Sequence, residues 1–211
     1  MGRATGMMCV LAAGLGLAWQ AAATSLARLT VDQLTDAADY IVRGEVDEVW
    51  TEVDTRAWVY TRAYVRVDEA LKGHVDRGDY LMVSELGGEF GGAVNDVEGA
   101  ARFSSGESVW LFLNEVHDGE DLVPVGMFQG KYTIRQNPAD GSDMVVRVTM
   151  PYTRKYDARF LPHPPADQRV SLTSLRSQVE GRLASGWDGA PIPGVSSDHL
   201  RAINKLQAGV K

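Results

Sequence analysis

The sequence predicts a mainly β fold, a small barrel or sandwich with helices at its ends. Three observations carry this. Apolar and polar residues alternate over Tyr40–Asp47 and Trp58–Val67, and Asp-Gly turns stand at Asp118-Gly119 and Asp140-Gly141. Helical spacing of apolar residues is confined to the two ends of the folded region.

The first 23 residues read as a secretory signal peptide. Arg3 is the one charge ahead of the apolar run from Met7 to Trp19, and Ala21-Ala22-Ala23 supplies small residues for cleavage. The run is shorter than the ~20 residues a bilayer span needs, so an integral span is not expected after cleavage. Cleavage leaves Thr24 to Lys211, which divides into a β domain over 24–150, a Pro-rich connection over 151–170 and a helical segment over 171–211 that packs on the β domain. The expected location is the periplasm or the cell exterior.

Thr30-Val31-Asp32-Gln33 has the spacing of a capping box, so a short helix is expected from about Val31 to Ala38, burying Leu34. From Tyr40 the period becomes two: Tyr40, Val42, Gly44 and Val46 share one face, and Arg43, Glu45 and Asp47 the other. In the next strand Val59, Thr61, Ala63, Val65 and Val67 alternate with Trp58, Tyr60, Arg62, Tyr64 and Arg66. Leu71-Lys72-Gly73 ends it, and Tyr80–Leu86 resumes as a strand. Ser108–Leu113, apolar on both faces after its first residue, reads as a central strand. Leu122–Val125, Gly130–Arg135 and Met144–Thr149 complete the β region. Prolines 151, 162, 164 and 165 then interrupt regular structure. Helices over Leu172–Ala184 and Ser197–Gln207 follow, the first with Leu172, Leu175, Val179 and Leu183 on one stripe.

Composition removes several chemistries. The single cysteine, Cys9, lies in the signal peptide, so the remainder has no thiol nucleophile, no Cys-ligated zinc and no iron–sulfur site. The formal charge is −7, and one unit more negative without Arg3; such a chain is repelled by nucleic acid. G-x-S-x-G, H-E-x-x-H and S-x-x-K are all missing. His74, His117, His163 and His199 have no ligand spacing and read as solvated surface residues. Asp118, Glu120 and Asp121, or Asp140 and Asp143, read as turn chemistry rather than a calcium loop. No metal or cofactor is expected.

The stretch from Ser84 to Glu107 holds six of the 22 glycines. It lacks both phosphate-binding glycine spacings and carries Glu85, Glu89, Asp96, Glu98 and Glu107 against Arg102 alone. It therefore reads as a long strand connection without structure of its own. Gly87, Gly88, Gly91 and Gly92 make it a candidate binding edge.

ADYIVRGEVDEV (38–49), YVRVDEALKGHV (64–75), FSSGESVWLFL (103–113) and GMFQGKYTI (126–134) resemble, in order, segments of a group of uncharacterised exported bacterial proteins. The first two also resemble the opening strands of netrin-like domains and tissue inhibitors of metalloproteinases. That resemblance implies an OB-type (netrin-like) barrel, and with the helices read above the expected fold is such a barrel with one short N-terminal helix and two C-terminal helices. The inhibitors act through a terminal cysteine on the protease zinc, and a chain without cysteine cannot use that mechanism.

The candidate surface is the Trp58, Tyr60, Arg62, Tyr64, Arg66 face, since aromatic and arginine side chains on a strand face stack on ligands. With no catalytic constellation, the expectation is an exported, non-catalytic binding domain for a protein or glycan. The rivals are a hydrolase whose carboxylates meet only in the fold, and a protease-interacting module without the cysteine mechanism.

Overall fold

A computed structural model of the chain describes residues 27–116, 121–147, 155–156, 162–163 and 168–208. The fold is mainly β, with one large sheet and three helices. In chain order the elements begin with α1 (Val31–Ala37), β1 (Tyr40–Val53), β2 (Val59–Lys72) and β3 (Tyr80–Leu86). β4 (Gly88–Phe90), β5 (Ala93–Asn95), β6 (Ser108–Val116) and β7 (Asp121–Pro124) follow. A 3-10 turn at Met127–Gly130 leads into β8 (Lys131–Gln136) and β9 (Asp143–Arg147). β10 (Lys155–Tyr156), β11 (Pro162–His163), β12 (Gln168–Ser171), α2 (Leu172–Ser185) and α3 (Ser197–Ala208) complete the chain.

The capping box forms. The Thr30 hydroxyl accepts the Gln33 backbone N–H at 3.2 Å, and the Gln33 side-chain Oε1 accepts the Thr30 N–H at 2.9 Å. This fixes the start of α1, which buries Leu34 and Ala37 and delivers the chain to β1 at Asp39.

β1 pairs antiparallel with β2 on one edge and with β6 on the other. β2 pairs with β3, β6 pairs with β7, and β3 meets β7 in parallel through the one bridged pair Val83–Leu122. The path β1-β2-β3-β7-β6 thus returns to β1, while β8, β9 and β12 extend the sheet from β6.

Alternation along these strands divides the interior into two apolar clusters. Val42, Val46, Ala63, Val65, Val67, Val83, Val109, Leu111, Leu113 and Leu122 pack together within the returning path. On the opposite face Ile41, Trp110, Phe112, Tyr132 and Val145 pack under the helices, against Leu34, Leu175, Val179 and Leu200. The SVWLFL strand, β6, serves both clusters, which is why it is apolar on both faces.

The glycine-rich stretch differs from expectation. It contains a β-hairpin of its own, β4 paired with β5, turning at Gly91 (φ 59°) and Gly92 (φ 81°). Two consecutive positive φ values are what mirror-image hairpin turns need, and glycine supplies them without steric cost. β12 was also not expected; it pairs antiparallel with β9 and runs straight into α2, capped by Ser171. Within the Pro-rich connection, β10 and β11 pair with each other. The residues expected to form a signal peptide, Asp118, Glu120, His117 and the closing residues of the expected 144–149 strand lie outside the described residues. Among the described residues no helix is long and apolar enough to cross a membrane.

Candidate functional site

The outward face of β1, β2 and β3 is set by a bulge. Val46 stands opposite Val65 and Glu48 opposite Tyr64, so Asp47 has no partner across the ladder. The extra residue shifts the phase of β1 by one, moving Glu48, Trp50 and Glu52 onto the outward face beside Tyr64, Arg62 and Tyr60. On β3, Tyr80 lies opposite Arg66 and Met82 opposite Tyr64.

Three rings adjoin on this face. Trp50 and Tyr64 have centroids 4.9 Å apart at 49°, and Tyr64 and Tyr80 are 6.4 Å apart and nearly perpendicular at 82°. Tyr64 and Tyr80 are exposed and Trp50 is half-buried. The Tyr80 hydroxyl donates to Asp47 at 2.7 Å, and that hydrogen bond raises its pKa. The bulge residue thereby orients the outermost ring.

Both arginines of the face are committed to carboxylates. Arg66 donates to Glu45 and to Asp68, each at 3.0 Å. Arg62 donates to Glu52 at 2.8 Å and to Ser84 and Asp121, with its guanidinium 5.4 Å above the Tyr60 ring. Ser84 in turn donates to Asp121 at 2.9 Å, so one guanidinium ties β1, β3 and β7 together. The face has more carboxylates than cations, counting Glu45, Asp47, Glu48 and Glu52 against Arg62 and Arg66. Arginines so engaged are not available to phosphates.

The sequence-derived face is therefore corrected in part. Tyr64 is central to it, Arg62 and Arg66 brace it, and Tyr60 is half-buried beneath Arg62. Trp58 precedes β2, sits in the β1–β2 turn and joins none of the ring pairs. Trp50 and Tyr80 were missed. Strict alternation puts Trp50 on the inner face, and only the bulge at Asp47 moves it out.

The glycines lie at the end of the sheet rather than among the rings. The Gly87 N–H donates to Val59 at 2.7 Å, and Gly88 lies against Thr51 and Thr61 so closely that a Cβ would stand 2.6 Å from the Thr61 hydroxyl. The β4–β5 hairpin departs from there, carrying Gly91 and Gly92 at its tip with Phe90 and Val94 exposed beside them.

Two further groups were invisible to sequence reasoning. Glu85 points its carboxyl into the end of the inner cluster, 9 % exposed, and its Oε1 has no partner among the described residues. Burial pushes it up to about 7, against the Ala101 and Leu86 N–H groups that favour the charged form. At the junction of α1, β2, β6 and α3, Asp39 accepts the Glu115 N–H at 2.9 Å and lies 3.7 Å from His199 Nε2. Tyr40 donates to Glu115 at 2.7 Å and is pushed up to about 12 by burial and by that bond. Burial pulls Lys72 down to about 8, and its ammonium donates to the Thr35 carbonyl at the end of α1, 3.0 Å away. His199 is half-buried, with its Nε2 covered beside Asp39 and a third of its side chain exposed; His74 is exposed as expected, and His163 has no described side chain. Asp39, Tyr40, Glu115 and Lys72 are thus engaged with one another and with the backbone. Asp140 accepts Ser142 N–H and hydroxyl bonds at 3.0 and 2.6 Å, the expected turn chemistry. Among the described residues, no three His, Cys, Asp or Glu side chains are grouped to hold a metal ion.

Compared with known protein families, with curated proteins and with solved structures, the chain has no significant match.

Proposed function

We propose that the chain is an exported, non-catalytic binding domain, an OB-type barrel whose Trp50–Tyr64–Tyr80 row takes a glycan. Five strands pairing in the order β1-β2-β3-β7-β6 and back to β1, with β3 and β7 parallel, support the barrel reading. The outward strand 2–3 face is where barrels of this type hold extended ligands. The observation that carries the ligand class is the row itself: three adjoining rings edged by Asp47 and Glu48. Apolar sugar faces stack on rings, and sugar hydroxyls donate to carboxylates.

The hydrolase reading is weaker because the carboxylates the fold brings together are spent. Asp39 accepts a backbone N–H, and Glu115 accepts the Tyr40 hydroxyl. The test is a glycan array probed with the purified chain and with its Tyr64→Ala and Tyr80→Ala variants. Retention of a glycan class by the parent, lost in both variants, is expected. No retained glycan, or retention unaffected by Tyr64→Ala, defeats the reading.

A further inference from the structure

We propose that the two hairpin tips at one end of the sheet form a second surface, which docks a basic, apolar segment of a partner protein. The β4–β5 hairpin starts against the β1–β2 hairpin, since its first residue, Gly88, abuts Thr51 of β1 and Thr61 of β2. Between them they expose Val53, Trp58, Phe90 and Val94, of which Trp58 is 49 % and Val94 70 % exposed. These are four of the seven large apolar side chains left exposed among the described residues, all carried by these two adjoining hairpins. A grouped apolar surface of this kind marks an interaction site, and Trp and Phe are the residues that anchor protein interfaces.

The tips are built to present these side chains. The Asp54 carboxylate accepts the N–H groups of Arg56 and Trp58, each at 2.8 Å, and Ala57 takes φ 62° to complete the turn. The strain of a non-glycine residue at positive φ is retained where it holds Trp58 out of the sheet. The other tip turns on Gly91 and Gly92, and β4 and β5 pair with no third strand among the described residues.

Charge selects the occupant. Glu52, Asp54, Glu89, Asp96 and Glu98 belong to or flank the two hairpins; Glu52 is paired with Arg62 and Asp96 with Arg102, which leaves Asp54, Glu89 and Glu98 against Arg56 alone. A second copy would bring like charge to like charge, and an anionic lipid surface is repelled for the same reason. A segment carrying Lys or Arg among aromatic or aliphatic residues complements both the apolar tips and their acidic rim.

The experiment uses an immobilised peptide panel in which net charge runs from acidic to basic at constant aromatic content, probed with the purified chain. Basic members should retain the chain, and added salt should release it. Trp58→Ala and Phe90→Ala should each weaken capture about tenfold. The Glu89→Lys/Glu98→Lys double variant should shift preference toward acidic members, while Tyr64→Ala should leave peptide capture unchanged. Circular dichroism of each variant establishes that it folds. Capture indifferent to peptide charge, tip variants that bind like the parent, a dimer broken by Trp58→Ala, or loss of capture on Tyr64→Ala alone overturns the proposal. The last outcome would move the peptide to the ring row without touching the barrel reading.

Discussion

The ring of Tyr40 fills the space in which a side chain on Gly73 would begin. A Cβ there would stand 2.3 Å from the ring's Cδ1, and Gly73 holds φ 99°. The neighbours of these two residues also meet, because the Asp39 charge acts on Lys72, whose ammonium closes the end of α1. The Ala-Asp-Tyr and Leu-Lys-Gly segments are therefore two halves of one contact, where the start of β1 crosses the end of β2. Gly73→Ala should cost about 3 kcal/mol, combining left-handed strain with overpacking. Urea denaturation measures this, and a loss too small to shift the midpoint would show that Tyr40 yields its position freely.

Glu85 makes stability fall as pH rises. Its folded pKa of about 7 lies above the ordinary 4.5, so the folded state holds a proton that the unfolded chain releases between those values. The contribution favouring the fold is complete below about pH 4.5, declines from there, and is gone above about pH 7. Glu85→Gln should flatten this part of the profile and raise stability at pH 8 by roughly 3 kcal/mol relative to the parent. Denaturation midpoints of both proteins from pH 5 to pH 8 supply the comparison; parallel curves would refute it.

Asp36 and Arg182 clamp α1 to α2. The carboxylate is buried and accepts from both the Nε and the Nη2 of the guanidinium, at 2.7 to 3.0 Å. Asp36→Ala should destabilise by about 3 kcal/mol, because it leaves a largely buried cation short of its main partner. In a cycle with Arg182→Met, the double variant should be less damaged than the sum of the singles. Strict additivity would show that the pair is not coupled.

Arg62 holds the place where β3 and β7 meet. That meeting has one bridged pair, and the guanidinium spans it by bonding Ser84 on one strand and Asp121 on the other. Arg62→Met should cost about 2 kcal/mol. It should also speed amide exchange in β7 while leaving the β1–β2 ladder protected. Uniform exchange across the sheet would contradict this.

What the sequence disclosed, and what it hid, follows from range. The Thr30–Gln33 capping box, the alternation that buries Ala63, Val65 and Val67, and the two-faced β6 are local patterns that the fold leaves intact. The β4–β5 hairpin escaped because its strands are three residues long, too short to show a period. Trp50 escaped because a single bulge residue reverses the phase of everything after it. The Asp39–Lys72–His199 group joins residues far apart in the chain, and no periodicity encodes such a meeting.

β6 places Val109, Leu111 and Leu113 in one apolar cluster and Trp110 and Phe112 in the other. Neither half of the interior can loosen without pulling on a backbone that the other half grips. Heat or denaturant should meet a single melting event reported alike by ring packing and by backbone signal, with the helices unable to peel away ahead of the sheet. In this sense β6 is a shared wall, and the molecule stands or falls with it.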